Sequence, residues 1–146
     1  MTDTFDLNRF LVAQEADYER ALAEITNGRK RSHWMWYVFP QFAGLGHSPM
    51  SEAYAIKSLA EARAYLAHSV LGPRLVACAQ AALNVPGRSA HDIFGSPDDL
   101  KLRSSATLFA LVSAGESVFH QLIERYFDGL QDERTIALAG QDSPRA

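Results

Sequence analysis

The chain has 146 residues, of which 47% are hydrophobic and 21% are charged, a balance typical of one folded globular domain. Its formal net charge of -3 at pH 7 argues against general nucleic-acid binding, which needs a basic surface to neutralise phosphates. The first residues lack the basic start and apolar core of a signal peptide, and no apolar run approaches about 18 residues. We therefore expect a cytoplasmic protein with no membrane association.

Helix start and stop signals divide most of the chain, so we predict an all-α fold: a compact single-domain bundle of about seven or eight helices. Serine followed three residues later by an acid is the pattern of a capping box, and it occurs at Ser58, Ser89 and Ser96. Glycines fall where several of these helices would end. The predicted helices span 6–27 (continuous or broken near Gln14), 49–56, 59–68, 73–84, 90–94, 97–114, 116–128 and 133–139. They form one domain over residues 1–140, followed by a flexible tail over 141–146.

The segment between the first two predicted helices has the most unusual composition. It reads Gly28-Arg-Lys-Arg-Ser-His-Trp-Met-Trp-Tyr-Val-Phe-Pro-Gln41, so three basic residues lead directly into a run of aromatic side chains. Residues 33–39 form either one short extended segment or a short helix capped by Ser32. Cations beside flat aromatic surfaces suit an anion with a planar ring, but the same residues also suit a core segment behind a solvated basic loop.

A second polar cluster begins the helix predicted after Gly95. Lys101 and Ser105 are four residues apart and share a helix face, before the sequence turns apolar from Leu108 onward. Polar side chains inside a core helix need partners. They either bond to their own helix backbone or line the wall of a pocket.

These two clusters together predict a pocket between the segment 30–41 and the helix that bears Lys101. Its ligand would be a small anion, such as a nucleotide or an ADP-ribose-like molecule. Lysines would meet phosphate, and a tryptophan would stack on a base. The candidate ligand-binding residues are Lys30, Trp34, Trp36, Gln41, Lys101 and Ser105.

Catalysis in this pocket would use His33 as the acid–base group, because imidazole titrates near neutral pH. Asp98 or Glu52 would then support cleavage of a glycosidic or phosphoester bond. Histidine spacing predicts no metal site, and the sequence contains no nucleophile elbow, phosphate-binding loop or dinucleotide fingerprint, so we expect no cofactor. The alternative function is a non-enzymatic protein-interaction module that presents the aromatic run as a binding surface.

Several motifs resemble a bacterial family of unknown function whose members are often labelled "calpastatin" automatically. They are the 28–41 segment, Leu71-Gly-Pro-Arg-Leu75 and Phe94-Gly-Ser-Pro-Asp-Asp-Leu-Lys-Leu-Arg-Ser104, and the resemblance covers nearly the whole chain. It implies a compact, mainly helical domain and no established activity. Calpastatin inhibitory segments are disordered and polar, whereas this composition belongs to a folded domain, so we do not expect a true calpastatin.

A more distant similarity connects the chain with NADAR domains, which are helical proteins linked to ADP-ribose chemistry. The similarity lies in the order of a helical Glu52-x-Tyr54 element, a Glu-rich second helix and an apolar helix bearing lysine and serine. It implies fold-level likeness alone. Lys57 follows Glu52 too early for the NADAR pattern, and the NADAR tryptophan and glycine elements have no counterpart here.

Overall fold

Nine helices follow one another along residues 3–142, the part of the chain that this computed structural model describes. The β pairing in that range is a single parallel bridge between Phe42 and Ile56, so the predicted all-α class is confirmed. The helices are α1 (Asn8–Thr26), α2 (Met35–Val38), α3 (Pro49–Ala53), α4 (Leu59–Ala67), α5 (Leu71–Leu83), α6 (Ala90–Phe94), α7 (Asp98–Leu111), α8 (Val118–Phe127) and α9 (Glu133–Asp142).

The first helix is continuous through Gln14, although that side chain is buried. Its amide nitrogen donates to the Tyr37 carbonyl oxygen at 2.6 Å and to the Tyr65 hydroxyl at 3.0 Å, so the buried polar group is satisfied without a break in the helix. At the other end of the chain, α9 extends through Asp142, beyond the predicted limit at 139. Residues 143–146 of the predicted tail lie outside the described part of the chain.

The extended alternative for residues 33–39 is wrong, because Met35–Val38 forms the short helix α2. Its backbone bonds run from the Val38 N–H to the Trp34 carbonyl and from the Phe39 N–H to the Met35 carbonyl. Ser32 does not cap this helix, since its hydroxyl donates to Glu24 instead. A helical turn here turns most of the aromatic run towards the core, which an extended segment with alternating faces would not do.

Two of the three predicted capping serines accept from the backbone of their own helix. The Ser89 box is complete, whereas at Ser58 the serine hydroxyl accepts from the Glu61 N–H and the Glu61 carboxylate accepts from the Lys57 N–H. Ser96 does not cap α7: the helix begins at Asp98, and the N–H of Asp99 donates to the Gly95 carbonyl oxygen.

Helix α7 packs against α4, α6, α8 and α9, and this central position sets the location of the site. Residues 104–110 of this helix are all buried, with Phe109 lying 5.4 Å from Tyr65 and 5.6 Å from Phe119 between ring centroids. Burial of such rings is a main source of folding free energy. The polar first half of α7 therefore reaches the surface beside the loop that follows α2.

Arg9 of α1 fixes the connection between α3 and α4. Its guanidinium donates to the carbonyl oxygens of Ala53 and Ala55, both at 2.9 Å, and pairs with Glu61 at 2.7 Å. The Glu61 side chain is only 3% exposed, so this charge is compensated inside the protein. The connection between α3 and α4 is consequently held in one position.

Candidate functional site

Asp98, in the first turn of α7, brings together the two lysines that the sequence singled out. The Nζ of Lys30 lies 2.9 Å from one carboxylate oxygen, and the Nζ of Lys101 lies 3.5 Å from the other. The Lys30 side chain is only 6% exposed and also donates to the Ser32 carbonyl oxygen, whereas Lys101 is 25% exposed. Lys30 is therefore a buried, paired cation, and Lys101 is the one that faces solvent.

Trp34 is a core residue in this arrangement. Its side chain is fully buried, and the indole N–H donates to Glu24 at 2.9 Å. The Lys30 Nζ lies 5.0 Å from the centre of the ring. No face of Trp34 is therefore open to stack on a base in this arrangement.

Glu24 of α1 is the acceptor that organises this corner. It accepts hydrogen bonds from the Ser32 hydroxyl at 2.6 Å, from the backbone N–H groups of Arg31 and Ser32, and from Trp34. Desolvation by burial would raise the pKa of this carboxyl group, but these hydrogen bonds outweigh it and lower the pKa from 4.5 to about 2. Glu24 is thus held ionised and fixes residues 29–32, which we call the basic segment, against the end of α1.

Trp36 differs from Trp34 because it is only partly buried. The Lys101 Nζ lies 5.5 Å from its ring centre, within the range of a cation–π interaction. Trp36 therefore stands beside the more exposed lysine and keeps part of its surface accessible.

The three candidate catalytic residues are not linked to one another. His33 is exposed, and no hydrogen bond or ion pair between described residues joins its imidazole to Asp98 or Glu52. Ser105 is buried and does not line the predicted pocket. Its side chain is 1% exposed, and its hydroxyl has no hydrogen-bond partner within the described residues.

A cleft of about 450 Å³ lies between the loop after α2 and helices α7 and α9. We call it the cationic cleft, because three cationic side chains line it and Asp132 is its one carboxylate among the described residues. It contains two of the predicted ligand-binding residues, Gln41 and Lys101. Its lining consists of Gln41, Leu45, Gly46, Ser51, Pro97, Leu100, Lys101, Arg103, Ser104, Asp132 and Arg134.

Sequence reasoning missed Arg103 and Arg134 as site residues. The loop that precedes α9 holds Arg103 in place. The Arg103 Nε donates to the Leu130 carbonyl oxygen at 2.7 Å, and its Nη2 donates to the Gln131 carbonyl oxygen at 2.9 Å. Neither arginine forms an ion pair with another described residue. The only local signal for Arg103 was its place two residues after Lys101, and no local pattern connects Arg134 with α7.

Asp132 is committed to the start of α9. One of its carboxylate oxygens accepts from the Thr135 N–H at 3.1 Å, from the Thr135 hydroxyl at 2.5 Å and from the Ser104 hydroxyl at 3.2 Å. Asp132 therefore acts as the N-cap of α9. The positive charge of the cleft is therefore only partly balanced by its one carboxylate.

A second, smaller cavity of about 260 Å³ adjoins the cationic cleft, and we call it the Glu52 pocket. The two cavities share Gln41, Gly46 and Ser51. Glu52, His47 and Lys57 provide the ionisable groups of the Glu52 pocket, and Phe42, Ala43 and Ala55 form part of its apolar wall. Glu52 thus lies near the predicted site, in a cavity that shares Gln41 with the cleft that Lys101 lines.

No group of three or more His, Cys, Asp or Glu side chains among residues 3–142 is arranged to hold a metal ion. None of the helices in that range combines the length and hydrophobicity that crossing a bilayer requires.

Comparison with known proteins places the chain in a family. The model of the family "Protein of unknown function (DUF1810)" matches residues 4–139, so the chain belongs to that family. The chain is also 51% identical to the conserved hypothetical protein Rv1873 from Mycobacterium tuberculosis, whose crystal structure aligns with a TM-score of 0.93 over 94% of this chain and 99% of that one. No curated protein matches significantly. These findings give no support to a calpastatin or NADAR relationship.

Proposed function

We propose that this DUF1810 protein binds a small phosphate-bearing ligand in the cationic cleft. The observation that carries the proposal is the convergence of Lys101, Arg103 and Arg134 on one cleft whose carboxylate, Asp132, is occupied by the cap of α9. The protein as a whole has a net charge of -3, so this positive region is a local feature. A concave site of one sign concentrates ligands of the opposite charge.

The cationic groups suit phosphate in complementary ways. Guanidinium groups present several donors in a plane that matches phosphate oxygens, and an ammonium group acts as a point charge. Lys101 shares Asp98 with Lys30, so a phosphate would compete with Asp98 for Lys101. Gln41 adds an uncharged amide to the same wall.

Nucleotides and ADP-ribose-like molecules remain within this class. Their phosphates would lie against the cations, and Trp36 beside Lys101 is the aromatic side chain with accessible surface near the cleft. Trp34 would act indirectly, by holding the basic segment through Glu24.

Neither hydrolysis nor protein docking through the aromatic run forms part of the proposal. Hydrolysis by His33, Asp98 and Glu52 lacks a shared cluster of those three groups. The aromatic run offers little surface to a protein partner, because Trp34, Met35, Tyr37, Val38 and Phe39 are all buried.

Ligand-dependent stabilisation tests the proposal. Melting temperature would be followed by circular dichroism at constant ionic strength with inorganic phosphate, ribose 5-phosphate, AMP and ADP-ribose. A ligand that binds only the folded state at 100 times its Kd stabilises it by about 2.7 kcal/mol. Lys101→Met and Arg134→Ala should each abolish or strongly reduce the response.

The matched control is Arg63→Ala, which removes an exposed cation of α4 outside the cleft. It should retain the full response. The proposal fails if no phosphate-bearing probe raises the melting temperature, or if the response survives in both cleft variants.

A further inference from the structure

The Glu52 pocket and the cationic cleft are neighbours, because Gln41, Gly46 and Ser51 line both of them. A Cβ atom on Gly46 would lie 2.6 Å from the Ser51 hydroxyl oxygen, so the close approach of these two residues where the cavities meet requires glycine. Ser51 is positioned by Ser48, whose hydroxyl donates to it at 2.9 Å. A ligand bound in the cationic cleft therefore lies beside the Glu52 pocket.

The two cavities differ in charge. The cationic cleft has three cations for one carboxylate, whereas the Glu52 pocket sets Glu52 against Lys57, with His47 as the third ionisable group. A second phosphate would face the Glu52 carboxylate and gain no net positive charge. The Glu52 pocket thus favours an uncharged part of a ligand.

Hydroxyl groups match the polar atoms of the Glu52 pocket. A hydroxyl both donates and accepts hydrogen bonds. Glu52 offers acceptor oxygens, Lys57 offers donors, and the amide of Gln41 offers both. The apolar wall is made partly of small alanine side chains, and Phe42 is only 6% exposed, so the pocket has little aromatic surface on which a base could stack.

We propose that the ligand is a phosphorylated sugar, with its phosphate in the cationic cleft and its hydroxyl-bearing ring in the Glu52 pocket. This inference rests on the proposed function and names the ligand class of the same site. A volume of about 260 Å³ corresponds to roughly nine water molecules at about 30 Å³ each, which accommodates one monosaccharide ring without a second large group. Glu52 then has a binding role, as an acceptor for ring hydroxyls.

Isothermal titration calorimetry on the full chain separates the phosphate from the sugar. The probes are inorganic phosphate, ribose 5-phosphate and AMP. We expect ribose 5-phosphate to bind at least tenfold more tightly than inorganic phosphate and no more weakly than AMP.

Two variants address the Glu52 pocket alone. Glu52→Ala removes an exposed acceptor, and Ala43→Leu fills the cavity from its wall; neither residue lines the cationic cleft. Both should reduce the affinity for ribose 5-phosphate to that for inorganic phosphate, and leave the latter unchanged. Glu19→Ala, at an exposed position on α1, is the control and should keep the preference. Glu52→Ala carries the test by itself if Ala43→Leu does not fold.

Each contrary result has a distinct meaning. A preference of less than tenfold for ribose 5-phosphate over phosphate in the unmodified protein, or a tenfold preference that survives Glu52→Ala, overturns the sugar assignment and leaves phosphate binding standing. Tighter binding of AMP than of ribose 5-phosphate overturns it in favour of base recognition. Absence of binding by all three probes overturns both this inference and the proposed function.

Discussion

The ammonium group of Lys30 lies 2.9 Å from the carboxylate of Asp98, and only 6% of the lysine side chain is exposed. The pair joins the basic segment to the first turn of α7. Removing one partner of a buried ion pair leaves an uncompensated charge, which is far more costly than the loss of an exposed pair. The two lysines around Asp98 therefore have different roles.

Asp98→Asn should be strongly destabilising, because it leaves Lys30 buried without its counter-charge. Breaking a buried pair costs about 3–5 kcal/mol, and partial exposure of Asp98 places the expected loss at the lower end. Lys101→Met should cost under about 1 kcal/mol, since Lys30 still neutralises Asp98. Urea titration measures both free energies of unfolding. Equal losses in the two variants would contradict the distinction between the lysines.

Glu24 predicts a pH-dependent contribution to stability. Its pKa is about 2 in the folded protein against an ordinary 4.5, so the folded state is favoured while the group is ionised. This contribution is fully present above about pH 4.5 and is lost as the pH falls from 4.5 towards 2. Glu24→Gln should lower stability at pH 7 and flatten the acid limb of the curve of unfolding free energy against pH. Glu19→Gln, exposed on the same helix, should leave that limb unchanged.

Leu108→Ala and Phe119→Ala should each destabilise the fold by roughly 2–5 kcal/mol, because truncation leaves a cavity among enclosed neighbours. Leu108 is 0% exposed and Phe119 is 3% exposed. The control is Val12→Ala on α1, whose side chain is 64% exposed and which should change stability by no more than about 0.5 kcal/mol. Urea unfolding curves decide this, and losses below about 1 kcal/mol for both core variants would place the core elsewhere.

Gly72→Ala should also be destabilising, although alanine ordinarily favours helix. A Cβ atom at Gly72 would lie 2.1 Å from the Leu66 carbonyl oxygen, so α5 would have to move away from the end of α4. Overpacking of this kind costs about 1–3 kcal/mol or more. Gly140→Ala in α9 is the matched control, because nothing lies within 4 Å of its added Cβ and helix propensity should then improve stability by up to about 1 kcal/mol. Thermal unfolding of both variants in parallel gives the sign of each change.

Local signals in the sequence accounted for the helices better than for the site. Ser58 and Ser89 mark helix starts because a cap depends on bonds within a few residues. The sequence allows both strand and helix for 33–39, because a short aromatic run has no decisive period. Packing of this segment against the core decides in favour of helix.

The composition of the site depends on contacts that local patterns do not encode. The sequence indicated that Lys30 and Lys101 belong together, and Asp98 does join them. It did not reveal that this carboxylate neutralises Lys30, nor that Arg134 of α9 faces the same cleft, because charge pairing and helix packing bring together distant residues. Likewise, because Trp34 and Trp36 lie so close together in the sequence, local patterns do not show which of them is buried and which is accessible.

Because their surroundings differ, Trp34 and Trp36 are two distinct intrinsic fluorescence probes. Trp34 is fully enclosed and bonded to Glu24, while Trp36 is partly accessible beside Lys101, and the chain has no other tryptophan. Emission from Trp34 should follow loss of the core, and emission from Trp36 should respond to polarity and quenchers at the cleft. Trp34→Phe would isolate the cleft-side reporter and Trp36→Phe the core-side one, so occupancy and unfolding become separable in a single label-free measurement.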